Sequence, residues 1–106
     1  MPPLRGEIWR CRFAPPDKRR PVLVLTRSEA LPYLRTAMVA PVTSTIRGIP
    51  SEVVVGPDEG LKGISAVSLD NVQTVDQRQL RGYVGELGEE KLREVCRALA
   101  VATGCD

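Results

Sequence analysis

The chain has no histidine. That removes the commonest general base and the commonest metal ligand. It also leaves Cys11, Cys96 and Cys105 without the imidazole that ordinarily activates a thiol nucleophile. The three cysteines form neither a CxxC motif nor a metal-ligand spacing, and their odd number argues against a disulfide framework. No metal and no cofactor is expected. Cys11 and Cys96 sit in apolar patterns and are read as small core residues. Aromatic residues make up only 4% of the chain, so Trp9 and Phe13 are assigned to the core ahead of base stacking. There is no HExxH, and GPDEGLKG at 56–63 lacks the GK[ST] ending of a phosphate loop. Zinc hydrolysis, ATP chemistry and triad hydrolysis are therefore poor fits. No apolar run approaches the roughly 20 residues that span a bilayer, and MPPLRGEIW at the start has no signal-peptide core. A cytoplasmic protein with no membrane association is expected.

What is present fits one domain, residues 1–106, with ordinary hydrophobic (42%) and charged (26%) content. The net charge of +2 hides an uneven distribution. Residues 1–47 carry nine Lys or Arg against three acids, a net +6, and residues 48–106 carry six against ten, a net −4. A basic half suits a polyanionic partner, provided the two halves do not mix in space.

Glu7–Phe13 alternates, with Trp9, Cys11 and Phe13 on one face and Ile8, Arg10 and Arg12 on the other, the pattern of a half-buried strand. The Pro15-Pro16 pair marks a loop. Pro21–Thr26 is a continuous β-branched and Leu run, a buried strand. Thr26-Arg27-Ser28-Glu29 has the form of a capping box and predicts a short helix ending before Pro32. Strands are predicted at Thr36–Thr43, Glu52–Val55, Ile64–Leu69 and Tyr83–Leu87. Pro41 suggests an edge or bulge position in the first of these. Gly56–Gly63 is a predicted loop.

The clearest helix is Glu89–Thr103. Leu92, Val95, Cys96, Leu99 and Ala102 form one apolar face, two glutamates lie in the first turn, Leu87 can staple onto Leu92, and Gly104 stops the helix. These elements predict a mainly β, α+β fold. It is a small twisted antiparallel sheet, curled into a partial barrel and covered by a C-terminal helix.

Two buried strands each offer a polar residue where burial does not require one: Arg20 opens RPVLVLT and Thr43 closes AMVAPVT. Antiparallel pairing sets those ends side by side. A guanidinium beside a hydroxyl suits a phosphate; a surface arginine and a strand-capping threonine are the bland alternative. With histidine absent, Arg, Thr, Ser, Asn and Gln suit charge stabilisation. They can also support RNA cleavage, where the substrate's own 2′-hydroxyl is the nucleophile.

RGEIWRCRF at 5–13, RPVLVLT at 20–26, VAPVTSTIRGIPSEV at 39–53 and VSLDNVQTVDQRQL at 67–80, followed by the helix, resemble the MazF/PemK toxins in order and spacing across nearly the whole chain. The resemblance implies an SH3-like barrel shared with CcdB toxins, a homodimer, and metal-independent, sequence-selective cleavage of single-stranded RNA. It also implies a cognate antitoxin with a disordered inhibitory tail. By the same resemblance the catalytic residues are Arg20, for the scissile phosphate, and Thr43, for a phosphate oxygen, with Ser44 and Thr45 as alternatives to Thr43. Arg19, Ser44 and Arg47 are candidate RNA contacts. Asn71 and Gln73, two apart and on one face if extended, are candidates for reading base edges or for turn roles. One departure stands out: many members carry a longer Gly-Ser-Glu-Gln-like loop before the arginine, where this chain has APPDKR, with Asp17 the candidate substitute. Two other functions suit this fold, a CcdB-like gyrase poison and a noncatalytic SH3-like RNA-binding module.

Overall fold

The computed structural model describes residues 2–14 and 18–106. Among them, seven strands precede one α-helix: β1 (Glu7–Arg12), β2 (Arg19–Val24), β3 (Thr36–Thr43), β4 (Glu52–Val55), β5 (Ser65–Ser68), β6 (Gln73–Asp76), β7 (Leu80–Glu86) and α1 (Glu89–Thr103). The strands form one antiparallel sheet ordered β4-β5-β3-β2-β1-β7, and β6 adds to β3 off that path. The mainly β fold with a C-terminal helix is the one expected from sequence.

The VLVL run is continuous because β2 is buried on both faces. Leu23 and Leu25 enter a core with Ile8, Ala40, Val42, Val53, Val55, Val67, Leu69 and Leu87, onto which α1 sets Val95 and Ala98. Val22 and Val24 enter a second core with Cys11, Leu31, Ala37, Val39, Val75 and Leu80, flanked by Trp9 and Phe13. Each fully buried Val or Leu contributes about 1.5–3 kcal/mol. The same two-sidedness corrects the reading of β1. Trp9, Cys11 and Phe13 do share a face, but Ile8 on the other face is also buried, so only Arg10 and Arg12 face solvent there.

Three further expectations change. No α-helix follows Thr26. The Thr26 hydroxyl instead accepts the Met38 backbone N–H at 2.7 Å, extending the β2–β3 pairing, and only a 3-10 turn forms at Leu31–Tyr33. Pro41, expected at an edge or bulge, lies in an interior strand, at the point where the pairing of β3 passes from β6 to β5. β6 went unpredicted, and the predicted Gly56–Gly63 loop contains a 3-10 turn at Pro57–Glu59.

Residue Cys96 is exposed, not in the core. It is one residue, about 100° of helix, beyond Val95, on the flank where the Arg5 guanidinium donates to its sulfur at 3.3 Å.

The sheet curls because the turn after β4 reaches β7, the strand at the other end of the path. Gly60, at φ +92°, and Gly85 meet backbone to backbone, so a Cβ on Gly85 would fall on the Glu59 carbonyl and one on Gly60 on the Val84 carbonyl. Gly85→Ala should therefore destabilise the protein by about 1–3 kcal/mol, the usual cost of forcing atoms into a packed contact. Gly63→Ala, with nothing within 4 Å of the new methyl, should be near neutral. Urea denaturation of both variants checks this, and equal stabilities would remove the contact as the cause of curling.

Candidate active site

β3 carries the site because it changes partners part-way. On one edge Thr36–Val39 pairs with β6 and Val42–Thr43 with β5; on the other, Val39–Pro41 pairs with β2. Pro41 supplies no N–H, and the β2 ladder ends at Val22↔Pro41. Continuing that register by two residues sets Arg20 opposite Thr43. Both then lie on the face of Val22 and Val39, because side chains repeat every second residue along a strand.

Two recesses flank Pro41. One, of ≈ 290 Å³, is lined by Phe13, Arg20, Pro41 and Gln73. The other, of ≈ 180 Å³, is lined by Pro41, Thr43, Thr45, Arg47, Ile49, Glu52, Ser68, Asp70 and Asn71. The Arg20 side chain is exposed and the Thr43 side chain half-buried. The Thr43 hydroxyl oxygen accepts the Thr45 backbone N–H at 3.1 Å. An oxygen fixed in that way has its O–H available to donate, which suits a phosphate oxygen.

The remaining candidates separate. Asn71 and Gln73 do not share an extended face: Asn71 closes a 3-10 turn at Leu69–Asn71, its Nδ2 donating to the Ser68 hydroxyl at 2.8 Å, while Gln73 begins β6 opposite Val39. Each lines a different recess. Arg47 lines the smaller recess, and its backbone N–H, with that of Gly48, donates to Glu52 Oε1 at 3.0 Å each. The adjacent N–H groups hold the loop around a carboxylate, and Gly48 at φ +71° permits the turn. Ser44 is exposed and alternates to the opposite side from Thr43. Arg19 likewise faces away from Arg20 and pairs across the sheet with Arg12. Asp17 lies outside the described residues.

Sequence reasoning overlooked Glu52 and Asp70, which line the Thr43 recess. The polar SLDN run directly after β5 was the available signal for Asp70. It also stopped short of a function for Arg10 and Arg12. With Arg19 they form an exposed basic surface, and Arg12 joins Arg78 and Arg81 around a further recess. Like charges directly opposite on a sheet destabilise it, so an anionic ligand would relieve the Arg12–Arg19 pair. Arg78 is already engaged. It binds Asp76 through two side-chain hydrogen bonds at 3.0 and 3.1 Å, which hold that carboxyl at about 2.

Comparison with known proteins decides the family. The profile described as PemK-like, MazF-like toxin of type II toxin-antitoxin system matches residues 4–103. The chain belongs to the MazF/PemK toxin family. It is 47% identical over 104 residues to a probable endoribonuclease, MazF5, of Mycobacterium tuberculosis, covering 97% of this chain and 94% of that one. The solved Mycobacterium tuberculosis toxin MazF-mt6 superposes with a TM-score of 0.88 at 37% identity, covering 94% of this chain and 98% of its own. A mycobacterial endoribonuclease solved in complex with its cognate antitoxin gives a TM-score of 0.87 at 30% identity, covering 98% and 97%.

Burial raises the Cys11 thiol to about 11, which keeps it protonated and unreactive at neutral pH. Native protein treated with a thiol reagent near pH 8 should therefore label at Cys96 and Cys105, both exposed, and not at Cys11, as peptide mapping can read. The raised value has a sign for stability. The unfolded thiol ionises near 8.5, so between about 8.5 and 11 the unfolded chain has lost a proton that the folded one retains. Stability falls as pH rises through that window. Cys11→Ala should flatten this part of the curve.

Proposed function

We propose that this toxin is an endoribonuclease that cuts single-stranded RNA in the cytoplasm by attack of the substrate's 2′-hydroxyl on the adjacent phosphate, without a metal ion. The observation that carries the reading is that Arg20 and Thr43 line the two recesses on either side of Pro41, where the β2–β3 ladder ends. The Arg20 guanidinium engages the scissile phosphate through a forked pair of hydrogen bonds and stabilises the charge that grows in the pentacoordinate transition state. The Thr43 hydroxyl donates to a non-bridging oxygen. The 2′-oxygen gives its proton to solvent and bonds to phosphorus as the bond to the 5′-oxygen breaks; the 5′-oxygen takes up a proton from solvent, and the products are a 2′,3′-cyclic phosphate and a 5′-hydroxyl.

Gln73, in the Arg20 recess, and Asn71, beside Thr43, meet the flanking nucleotides in this reading. Arg47, Arg19 and Ser44 contact the RNA away from the cut, with Arg12 beside Arg19 extending the basic track. The toxin acts as a homodimer. A cognate antitoxin inhibits it by laying an acidic, disordered tail over the same basic groups, pairing carboxylates where phosphates would lie. The relatives support these readings through the names they bear: endoribonuclease, and toxin solved with antitoxin.

Arg20→Ala should lower the cleavage rate by about 10²–10³-fold, the cost of removing one transition-state donor. The fold should be unchanged because the side chain is exposed. Arg20→Lys should rescue little, since an ammonium lacks the fork. A variant that cuts like wild type, with an unaltered circular dichroism spectrum, would remove Arg20 from the mechanism. Cleavage should also survive EDTA and stop where the cut-site nucleotide is 2′-deoxy. A 5′-phosphate product would instead indicate attack by water.

A further inference from the structure

A second basic site lies on the other face of the sheet from Arg20. In the β1–β2 ladder Cys11 pairs with Arg20 and Arg12 with Arg19, and neighbouring strand residues face opposite sides. Arg12 and Arg19 therefore project away from the face that carries Arg20. Beside Arg12, a recess of ≈ 430 Å³ is lined by Arg12, Asp76, Arg78, Gln79 and Arg81. Its three arginines are exposed and come from three segments: β1, the 3-10 turn Gln77–Gln79, and β7. The fold holds the recess in shape. The Gln79 side-chain amide donates to the Arg12 carbonyl oxygen at 2.9 Å, which ties the turn to β1. Asp76 accepts from Arg78 Nε, Arg78 Nη2 and the Arg78 backbone N–H, which orients the guanidinium and leaves Nη1. Among the described residues Asp76 is the one acid lining the recess, so three positive charges stand against one negative. A neighbouring recess of ≈ 510 Å³ shares Asp76 and Arg78 and adds Arg35. The basic surface thus runs from Arg19 through Arg12, Arg81 and Arg78 to Arg35.

We infer that the recess between Arg12, Arg78 and Arg81 binds backbone phosphate of single-stranded RNA beyond the nucleotides at the cut, so that a long substrate is held at two places. The inference rests on the RNA-cleaving reading. Guanidinium forks match phosphate oxygens, and phosphate contacts position a nucleic acid without reading its sequence. The lining favours RNA over an acidic peptide. All five lining side chains are polar or charged, and a peptide would find no apolar groove there for the anchors that such segments use. Arg78, already oriented by Asp76, has little rotamer freedom left to lose on binding. Contacts to a flank are equal in the ground state and the transition state, so they lower KM and leave kcat alone.

The test is a length series of single-stranded RNAs with one cut site, extended one nucleotide at a time on either side. KM should drop in a step of about three- to tenfold once a flank reaches the recess, with kcat constant along the series. Arg81→Gln and Arg78→Gln should each abolish that step. Arg97→Gln removes an exposed arginine of α1 outside the recess and should preserve it. On long RNA, the slope of log affinity against log salt concentration should become shallower by about 0.7 for each recess arginine lost. The same series made uncleavable by a 2′-deoxy nucleotide at the cut should show the step in binding. No step in KM or binding, a step that survives both recess substitutions, or one that Arg97→Gln removes equally would overturn the inference. So would recess variants that bind long RNA like wild type and lose affinity for polyglutamate, the mark of a surface for acidic peptide. Failure to cut any RNA would count against the endoribonuclease reading alone, because the binding series still decides the recess.

Discussion

Strand β3 has two edges and three partners, and the site lies where the partners change. A β-strand satisfies its backbone through its neighbours, and on the edge shared by β6 and β5 the pairing of β3 lapses at Ala40 and Pro41, which keep only β2 as a partner. Pro41 has no N–H to leave unpaired on that edge. A residue with a full backbone donor there would need a partner that neither β5 nor β6 supplies. Because the β2 ladder also stops at Pro41, the strand ends beyond it are held on one side only. Arg20 and Thr43 occupy those ends. The chain thus sets an exposed Arg20 and a half-buried Thr43 at the margin of a packed core.

Packing on both faces of β2 and β3 holds that margin rigid. The core under α1 takes Leu23, Ala40 and Val42, and the core on the other face takes Val22, Val24 and Val39. Neither strand can slip by one residue, since a slip would exchange the side chains of two cores at once. The register of β2 on β3 is therefore fixed by apolar residues of the two cores. The Gly60–Gly85 approach closes the curl at the far end, joining the turn after β4 to β7. A site assembled from strand ends in this way is more precise than one built on mobile loops.

Much of this could be read from sequence where one physical term dominated. The VLVL run and the alternation of Glu7–Phe13 are hydrophobic patterns, and both gave strands. The helix Glu89–Thr103 was found to the residue because periodicity, first-turn acids and Gly104 agree. The errors arose where local and tertiary signals conflicted. Thr26-Arg27-Ser28-Glu29 has a capping-box form, yet the Thr26 hydroxyl is taken by Met38 of β3, a partner twelve residues away that no local rule anticipates. β6 is Gln-Thr-Val-Asp, with only Val75 buried, so it carries no hydrophobic pattern and forms because β3 has a free edge. Cys96 fits the apolar stripe on a helical wheel, but the face that packs is centred on Val95 and Ala98. At the candidate site, the strand ends that carry Arg20 and Thr43 were legible because antiparallel pairing is arithmetic. The approach of Glu52 and Asp70 to Thr43 was not, because it depends on which loops meet over β5.

A chain without histidine can offer a substrate position and charge rather than an imidazole that titrates near neutral pH. That places demands on the surroundings which the structure meets. The Thr43 oxygen is fixed by a backbone N–H from Thr45, the loop bearing Thr45 and Arg47 is gathered by Glu52, and Asp70 is oriented by Ser51 from within the core. Each of these bonds removes a degree of freedom from a group that would otherwise have to be ordered when substrate binds. Glu52 and Asp70 are tied down by loop N–H groups and a buried hydroxyl, so the acidic side chains beside Thr43 are held by the fold itself.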